Sequence, residues 1–292
     1  MLDRLLYADW NEAPDAMAFE VSLAEAVEGL AERLARVLPR VEEALAHPAA
    51  MPASYWEDCL DLYLRAPALV NITLNHKICV EQGLPLHPTQ YFEVSDKTRH
   101  ALSYPAPQAE AAQAFFLSAI SAARAVVALD PAGPSILRAF AAETPEAVRP
   151  FVYTSTPDKY TWRASDPRKV RALAEDVQAK LRPRAVVGAA HGSIMAGLLF
   201  ANLLEAPLYF IRFSLFKRKD TAPVIGASDL RFLAAYREGP VLLFDEDVAK
   251  GTTLDRFTTF LQPFFDASRS AGVLCHRHAG FRPDFVGRMW SD

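Results

Sequence analysis

Apolar residues recur at steps of three and four positions near the start of the chain, which is typical of one face of an amphipathic helix. The spacing predicts one long helix whose apolar stripe consists of Leu23, Val27, Leu30, Leu34, Val37, Val41 and Leu45. Two ways of burying this stripe stay open. It can pack on the protein's own core, which is the simpler outcome, or on a partner subunit.

The remainder of the first half also predicts mostly helix. Pro48 and Pro52 break the first helix, because each proline removes a backbone donor, and a second helix is expected over residues 53–64. Further helices are expected over 108–129 and up to about residue 142. The exception is 86–104, where aromatic and apolar residues flank a turn-like segment and predict a β-hairpin.

The second half changes pattern, because short apolar runs now alternate with helical periodicity. Residues 184–193, 207–214 and 241–244 are apolar runs of strand length, and the almost wholly apolar 194–204 between them predicts a buried helix. Such alternation is typical of a parallel sheet flanked by helices. Asp166 followed by Pro167 predicts the start of another helix.

The change in composition around residues 144–150 suggests a domain boundary. We expect a mainly helical accessory domain over 1–147 and an α/β domain over 148–292. A chain of 292 residues is long enough for two domains of this size.

The apolar run 241–244 ends in three acids, Asp245, Glu246 and Asp247. A loop of small residues follows, consisting of Ala249, Lys250, Gly251, Thr252 and Thr253, and then a helix is predicted from about Leu254. A glycine in such a loop lets backbone N–H groups approach an anion closely, and the helix N-terminus favours negative charge.

The acids themselves would repel a phosphate group. Asp245 and Glu246 are suited instead to vicinal hydroxyls or to a bridging metal ion. One ligand that satisfies both the acids and the loop is a sugar phosphate. The alternative is structural: Thr252 or Thr253 is an ordinary helix cap in an α/β protein.

This segment resembles the phosphoribosyl-pyrophosphate (PRPP) signature of type I phosphoribosyltransferases. That signature consists of an apolar strand, two adjacent acids, a short link and Thr-Gly-x-Thr. Asp245 and Glu246 are the acidic pair, and Gly251 and Thr253 fall at matching positions. Lys250 replaces the usual threonine. The resemblance covers residues 148–292 and implies the parallel α/β fold of that family, with a tail similar to purine-salvage members.

The resemblance also implies roles for other segments. The loop after the first apolar run would hold pyrophosphate with Ala190, His191, Gly192 and Ser193, and Arg212 is a further candidate PRPP ligand. The basic segment 216–221 stands where the family has a flexible catalytic lid, with Lys217, Arg218 and Lys219 as its cations. A solvated turn explains these three residues equally well. At the tail, Phe285, Trp290 and His276 are candidate contacts to the acceptor.

The function implied by the resemblance is transfer of 5-phosphoribosyl from PRPP to an acceptor, with release of pyrophosphate. Mg²⁺ is expected as cofactor, bound by pyrophosphate and ribose hydroxyls with Asp245 and Glu246 nearby. Asp245, Glu246 and Lys217 are the catalytic candidates. A homodimer is also expected, from the apolar stripe and from the habit of the family.

The acceptor is not expected to be hypoxanthine or guanine. Purine-salvage members have an aspartate next to the alkylated nitrogen, and the matching position here is Ala249, which cannot exchange a proton. A lysine that contacts the purine carbonyl also has no counterpart near residues 273–277. The resemblance therefore places an unidentified small-molecule acceptor between the helical half and the tail.

Two other functions stay open. Some proteins of this fold resemble PRPP sensors that regulate without transferring phosphoribose. A hydrolase that uses Ser193 and His191 is the weaker possibility, because the G-x-S-x-G elbow is absent. A zinc site at 275–278 is also disfavoured, since no second cluster of Cys or His accompanies it.

Composition and charge also bear on the expected partners and cell compartment. A net charge of -4 argues against a general nucleic-acid binder, and the acidic start of the chain does not look like a secretory signal. No charge-free apolar run long enough for a membrane span is evident. Cys59, Cys79 and Cys275 are far apart and odd in number, so reduced thiols and a cytoplasmic location are expected.

Overall fold

The computed structural model describes residues 2–100 and 102–291. Its helices are α1 (Leu23–Val37), α2 (Val41–Ala46), α3 (Ala53–Gln82), α4 (Lys97–His100), α5 (Ala106–Ala128), α6 (Gly133–Glu143), α7 (Lys159–Ala164), α8 (Pro167–Lys180), α9 (Ile194–Leu203), α10 (Ala227–Ala235) and α11 (Thr252–Leu261). Its strands are β1 (Phe19–Ser22), β2 (Val152–Ser155), β3 (Ala185–Ala190), β4 (Leu208–Arg212), β5 (Pro240–Val248), β6 (Ala267–His276) and β7 (Phe285–Trp290).

The main sheet has five parallel strands in the order β4-β3-β5-β6-β7. The helices α8 and α9 pack against it, and Phe200 of α9 stacks on Phe244 of β5. Because β3 leads to β4 in one direction and β5 leads to β6 in the other, right-handed crossovers place α9 and α11 on opposite faces. The protein is thus an α/β fold with a helical N-terminal region, as the sequence predicted.

The apolar stripe of the first helix is intramolecular core. Leu23, Val27, Leu30, Leu34 and Val37 are all buried, since α1 packs against α3 and α6. Use of the stripe as a surface for a partner subunit is therefore wrong. The prediction of a single helix up to residue 45 is also wrong, because Pro39 lies in a 3-10 turn that separates α1 from α2.

The second helix is much longer than predicted. It continues from residue 64 through Pro67 to Gln82, and 20 of its 30 residues are buried. Burial on this scale outweighs the local cost of a proline inside a helix. Asn71 also donates from Nδ2 to the carbonyl of Pro67 at 2.9 Å.

The predicted hairpin over residues 86–104 does not form. This segment is irregular, with a 3-10 turn at Val94–Asp96 and the single-turn helix α4; Ala101 lies outside the described residues. Side chains from the segment instead bind elsewhere, and Glu93 contacts two arginines near the carboxyl end of β4.

The two halves of the chain are closely joined. Strand β1 pairs antiparallel with β2, so that Phe19 faces Ser155 across the proposed boundary. The helices α3 and α5 pack on α9, and one continuous apolar core runs through both halves. The division at residue 147 stays a prediction, and the shared core means that the helical half can reach the sheet directly.

One helix of the described residues, α5, is long and apolar enough to cross a membrane by length and composition. It packs here against α3, α6 and α9, and more than half of its most apolar stretch is buried within the protein. Its apolar character is therefore accounted for by its place in the core.

A buried ionic network ties the helical half to the sheet. Lys77 of α3 is 1 % exposed and donates to Glu81 and to Asp229, each at 2.8 Å. Tyr209 of β4 also donates to Asp229 at 2.6 Å, and the backbone N–H of Gly226 donates to its second oxygen at 2.7 Å. One ammonium group thus stands between two buried carboxylates, and it offsets much of their desolvation.

We expect Lys77→Met to lower the free energy of unfolding by about 3–5 kcal/mol, because it leaves two buried carboxylates without a cation. Lys180→Met is the matched control, since the Lys180–Asp176 pair is exposed and should contribute about 1 kcal/mol or less. Urea denaturation measures both. Equal losses in the two variants would contradict a special role for the buried network.

Candidate functional site

The predicted acid strand and the predicted anion loop are neighbours in the sheet. Strands β3 and β5 pair directly, with Gly188 opposite Phe244. Ala190 at the end of β3 therefore lies level with Glu246 of β5. The carboxyl ends of two adjacent parallel strands form one edge, which is where ligands bind in many open α/β sheets.

Strand β5 continues beyond the predicted apolar run 241–244 and includes Asp245, Glu246 and Asp247. Asp245 is 8 % exposed and Glu246 is 7 % exposed. Burial raises the pKa of Asp245 well above its ordinary value, and the charge of Glu246 raises it further. Burial also raises the pKa of Glu246. Two adjacent carboxylates in this environment favour a ligand that brings positive charge or hydroxyl donors.

Glu246 lies directly against the loop that follows β3. A Cβ atom at Gly192 would come within 2.1 Å of Oε1 of Glu246, so no other residue fits there without moving the carboxylate. Thr161 of α7 donates its hydroxyl to the same Oε1 at 3.3 Å. The other oxygen, Oε2, is buried and has no hydrogen-bond partner among the described residues. It is an acceptor to which a ligand can donate.

The third acid has a partner of its own. Oδ1 of Asp247 lies 3.1 Å from Nε2 of His276 at the end of β6. Burial raises the pKa of Asp247 to about 6, Glu246 adds to the increase, and His276 opposes it. His276, a predicted acceptor contact, is thus placed beside the acids through Asp247.

The predicted phosphate loop has the geometry that the sequence suggested. Gly251 has φ 82° and stands at the N-terminus of α11, which begins at Thr252. A Cβ at Gly251 would meet the backbone of Phe281 at 2.7 Å, so both the conformation and the close approach require glycine. The reading of either threonine as the cap is wrong, because the cap position is Gly251 and no side chain in the described chain caps this helix.

The other loop residues lie around this glycine. Ala249, Thr252 and Thr253 are half-buried and Lys250 is exposed. The carbonyl of Lys250 accepts from the N–H of Gly280 at 3.0 Å, which attaches the loop to the segment before β7.

The loop after β3 is held by a helix from the first half of the chain. The Ala190–His191 peptide bond is cis. Nδ1 of His191 lies 2.7 Å from Oδ1 of Asn71 in α3. Ser193 is fully buried and donates its hydroxyl to the carbonyl of Ala189 at 2.7 Å. A Ser193–His191 hydrolase is therefore wrong, because each side chain is bonded to a different partner.

The basic segment 216–221, called the basic loop from here on, is bound to carboxylates. Lys217 contacts Asp158 at 2.8 Å, and Arg218 contacts Glu93 at 2.8 Å. Asp158 also caps α7 through its other oxygen. A purely solvated turn is therefore not what the structure shows, since two of its three cations are in ion pairs. Lys219 has φ 54° and marks a sharp turn between them and Asp220.

Arg212 is placed differently from the expectation of a PRPP ligand. It is 1 % exposed and its guanidinium binds Asp220 at 2.8 Å and Glu93 at 2.5 Å. Its Nε and Nη2 both bind these carboxylates, and the contact with Asp220 holds the basic loop to the end of β4.

Two of the three predicted acceptor contacts, His276 and Trp290, are neighbours in the sheet, and Phe285 lies further back along β7. Trp290 pairs in register with His276 at the carboxyl end of the sheet, and its ring lies beneath Arg163 at 5.3 Å. Phe285 begins β7 and lies level with Phe244, buried near Lys180 of α8. Phe285 therefore lies two strands away from β5 across the sheet, level with the residue that precedes Asp245.

Sequence reasoning missed Asn71, Thr161, Asp158 and Glu93. Asn71 gave a usable signal, because it interrupts the apolar run 66–72 inside a buried helix. The other three are ordinary loop or helix-end residues by sequence, and only the fold brings them to the site.

The two best-formed cavities of the described chain lie elsewhere. One of about 540 Å³ lies between α1 and α6, and one of about 510 Å³ lies between α5 and α10. Neither includes the acids or the two loops.

No group of three or more His, Cys, Asp or Glu side chains within residues 2–100 and 102–291 is arranged to hold a metal ion alone. Asp245 and Glu246 nevertheless suit Mg²⁺ that is bound mainly by a ligand, because Mg²⁺ commonly takes one or two carboxylates and completes its shell with phosphate and water. The unpartnered Oε2 of Glu246 fits that arrangement.

No protein family matches the chain by sequence, and no curated protein does either. Solved structures do match. The chain resembles phosphoribosyltransferases in fold.

A purine phosphoribosyltransferase from Pyrococcus horikoshii is 18% identical, with TM-score 0.35, over 44% of this chain and 86% of that one. An orotate phosphoribosyltransferase from Aeropyrum pernix is 18% identical, with TM-score 0.33, over 48% and 79%. A Neisseria gonorrhoeae protein described as hypothetical, with bound ppGpp, is 20% identical, with TM-score 0.34, over 44% and 80%. At these values the likeness concerns the fold of less than half of the chain, and neither substrate nor acceptor follows from it.

We expect Asp245→Asn to stabilise the ligand-free protein at neutral pH by about 0.5–2 kcal/mol. Since the folded pKa of Asp245 is raised, its favourable contribution is present below the unfolded value of 3.8 and is lost as pH rises through the folded pKa. As pH rises above 3.8, wild-type stability should therefore fall more steeply than that of Asp245→Asn.

Urea midpoints measured with EDTA across this range test the expectation. Asp266→Asn, at an exposed acid, is the control and should not change the slope. If the urea midpoints of wild type and Asp245→Asn change with pH in parallel, burial does not raise the pKa of this carboxyl group.

Proposed function

We propose that the protein transfers 5-phosphoribosyl from PRPP to a small-molecule acceptor and releases pyrophosphate. One observation carries the proposal: two adjacent buried carboxylates, one with an unpartnered oxygen, lie against Gly192 at the edge of a parallel sheet. On the same edge the helix α11 begins at a glycine with φ 82° and has no side-chain cap within the described residues. The carboxylates that would accept hydrogen bonds from hydroxyls are thus separated by one short loop from the backbone N–H groups that would bind an anion.

In this proposal each element has one task. Backbone N–H groups at 249–253 bind the 5-phosphate, because the N-terminus of α11 favours negative charge. Asp245 and Glu246 accept hydrogen bonds from the ribose hydroxyls and hold the sugar in place. The backbone of 190–193 faces the pyrophosphate.

Mg²⁺, held by Asp245 and Glu246 with the ligand's own oxygens, would supply positive charge to the leaving pyrophosphate. Lys217 and Arg218 would add charge there after leaving Asp158 and Glu93. Closing the basic loop over the site excludes water, which would otherwise consume the activated sugar.

A PRPP sensor without transfer activity is the second candidate. It is favoured by the ion pairs of Lys217 and Arg218, which a binding protein can exchange for phosphate contacts without any chemistry. Release of pyrophosphate that depends on an acceptor separates the two functions.

Two further expectations stay predictions. A cytoplasmic location is one, and the buried cysteines Cys59, Cys79 and Cys275 are compatible with it. A homodimer is the other, and it now lacks the support of the α1 stripe.

We expect PRPP with Mg²⁺ to bind wild type, and Asp245→Asn combined with Glu246→Gln to weaken binding at least about tenfold, which is 1.4 kcal/mol. The physical reason is the loss of charged acceptors for the ribose hydroxyls and the cation. Isothermal titration calorimetry measures both affinities. Asp266→Asn, a carboxyl-to-amide change at an exposed position, is the control. Equal affinity in all proteins would remove the acids from the site.

Among acceptors, we expect hypoxanthine, guanine, adenine and xanthine to give little pyrophosphate release. Ala249 presents no group that exchanges a proton with the base, and a missing polar partner discriminates strongly in a buried site. A steady-state assay at millimolar base, run beside a panel of amines, other heterocycles and sugars, measures this. Efficient turnover of any of the four purines would contradict the inference from Ala249.

A further inference from the structure

The order of the strands sets the side from which an acceptor can reach the ribose. Strand β3 lies on one side of β5, and strand β6 lies on the other. The proposed function assigns the loop after β3 to pyrophosphate and the end of β5 to the ribose. A nucleophile attacks C1 from the side opposite the leaving group, because the reacting orbitals have to be in line. In that arrangement the acceptor approaches over the carboxyl end of β6.

One acidic side chain on this side of β5 has no task in the proposed function. Asp247 follows the two acids assigned to the ribose, and its Oδ1 lies 3.1 Å from Nε2 of His276, the last residue of β6. The contact therefore joins the ends of β5 and β6. The side chain of Asp247 is 10 % exposed, and within the described residues only its Oδ1 is bonded. Its Oδ2 is an acceptor for a ligand.

A second observation marks the same point of the fold as a place where a ligand donates. Glu246, the residue before Asp247, is 7 % exposed, and its Oε2 has no hydrogen-bond partner within the described part of the chain. Leaving such a buried group unpaired costs about 1–3 kcal/mol. A ligand that brings N–H or O–H groups to this end of β5 removes that cost.

We propose that Asp247 selects the acceptor by accepting a hydrogen bond from one of its N–H groups, and that His276 is a positioning residue that holds this carboxylate. The inference rests on the proposed function. It identifies the acceptor as a neutral or cationic nitrogen compound that carries an N–H donor in addition to the atom that is alkylated. Acceptors with a carboxylate at that position are rejected.

The rejection follows from the chemistry of the two groups. An ionised carboxyl group has only acceptor atoms, so the carboxylate of an acceptor has no hydrogen to give to Oδ2 of Asp247. It also brings a second negative charge to the same point, and like charges in contact discriminate strongly. A carboxamide of the same shape donates through its N–H and carries no charge.

The two cations that lie over Trp290, the partner of His276 in β7, do not offer an alternative site for an anion. Arg163 and Lys169 lie 5.3 Å and 5.8 Å from the centre of the Trp290 ring. Arg163 donates from Nε to the carbonyl of Asn11 at 2.7 Å, and Lys169 donates to the carbonyl of Arg163 at 2.8 Å. Their charges are thus bound to backbone oxygens and to the ring.

Matched pairs of small molecules test the selection. Nicotinamide with nicotinate, and imidazole-4-carboxamide with imidazole-4-carboxylate, differ within each pair only in the group that would face Asp247. Their dissociation constants are measured by saturation-transfer NMR at pH 8 with PRPP and Mg²⁺ present, and pyrophosphate release is followed in the same samples. We expect wild type to bind the carboxamides at least about tenfold more tightly than the carboxylates.

Variants show which residue is responsible. Asp247→Asn should lower the ratio of the two affinities to about twofold or less, because an amide can donate to a carboxylate and accept from a carboxamide. Asp266→Asn, at an exposed acid, is the control and should keep the wild-type ratio. His276→Leu should lower the ratio, whereas His276→Gln keeps a donor for Asp247 and should retain most of it. PRPP affinity by calorimetry should stay within about twofold of wild type in all four variants.

The outcomes separate this inference from the proposed function. If PRPP does not bind wild type, both fail together. If PRPP binds but the carboxylates bind as tightly as the carboxamides, or none of the four compounds binds, only the selection by Asp247 is overturned. The same holds if Asp247→Asn keeps the wild-type ratio. A loss of the ratio in His276→Leu that His276→Gln shares in full would overturn the positioning role of His276.

Discussion

The burial of two neighbouring carboxylates at one edge of the sheet is the constraint on which the rest of the site depends. Asp245 and Glu246 follow each other on β5 and are both more than nine-tenths buried. Holding two such groups together is costly unless cations or donors reach them. The described chain supplies the hydroxyl of Thr161 to Glu246, the backbone N–H of Glu246 to Asp245 and close packing against Gly192, and it leaves Oε2 of Glu246 unpartnered. A buried acceptor without a donor lowers the stability of the ligand-free protein. Such a loss of stability is typical of sites where a ligand supplies the missing hydrogen bond, and it agrees with a binding role.

The helical half of the chain acts on this edge through a single long helix. Near its middle, α3 holds His191 through Asn71, and two turns later Lys77 anchors the buried carboxylates that hold β4 to α10. Between α3 and the start of α8, the hydroxyl of Tyr63 donates to the carbonyl of Ser165 at 2.7 Å. Three polar contacts from one rigid element fix the loop, the edge strand and α8 relative to each other. An accessory domain joined only by a linker would not give the site this precision.

The parts that the sequence predicted are those in which local pattern and tertiary structure agree. The apolar run before Asp245, the glycine at 251 and the Asp166-Pro167 helix start each carry their own signal, and each is found. The hairpin over 86–104 failed because its side chains bind distant arginines instead of each other. The end of α3 at residue 64 failed because core packing outweighed Pro67. Phe285 stays a predicted acceptor contact, and only the register of β7 shows that it lies level with Phe244, the residue before Asp245.

The cations of the site are neutralised by the protein's own acids before any ligand arrives. Glu93 joins Arg212 to Arg218, and Asp158 joins Lys217 to the first turn of α7. A phosphate ligand therefore exchanges ion pairs with these carboxylates, and the net electrostatic gain is the difference between two sets of contacts.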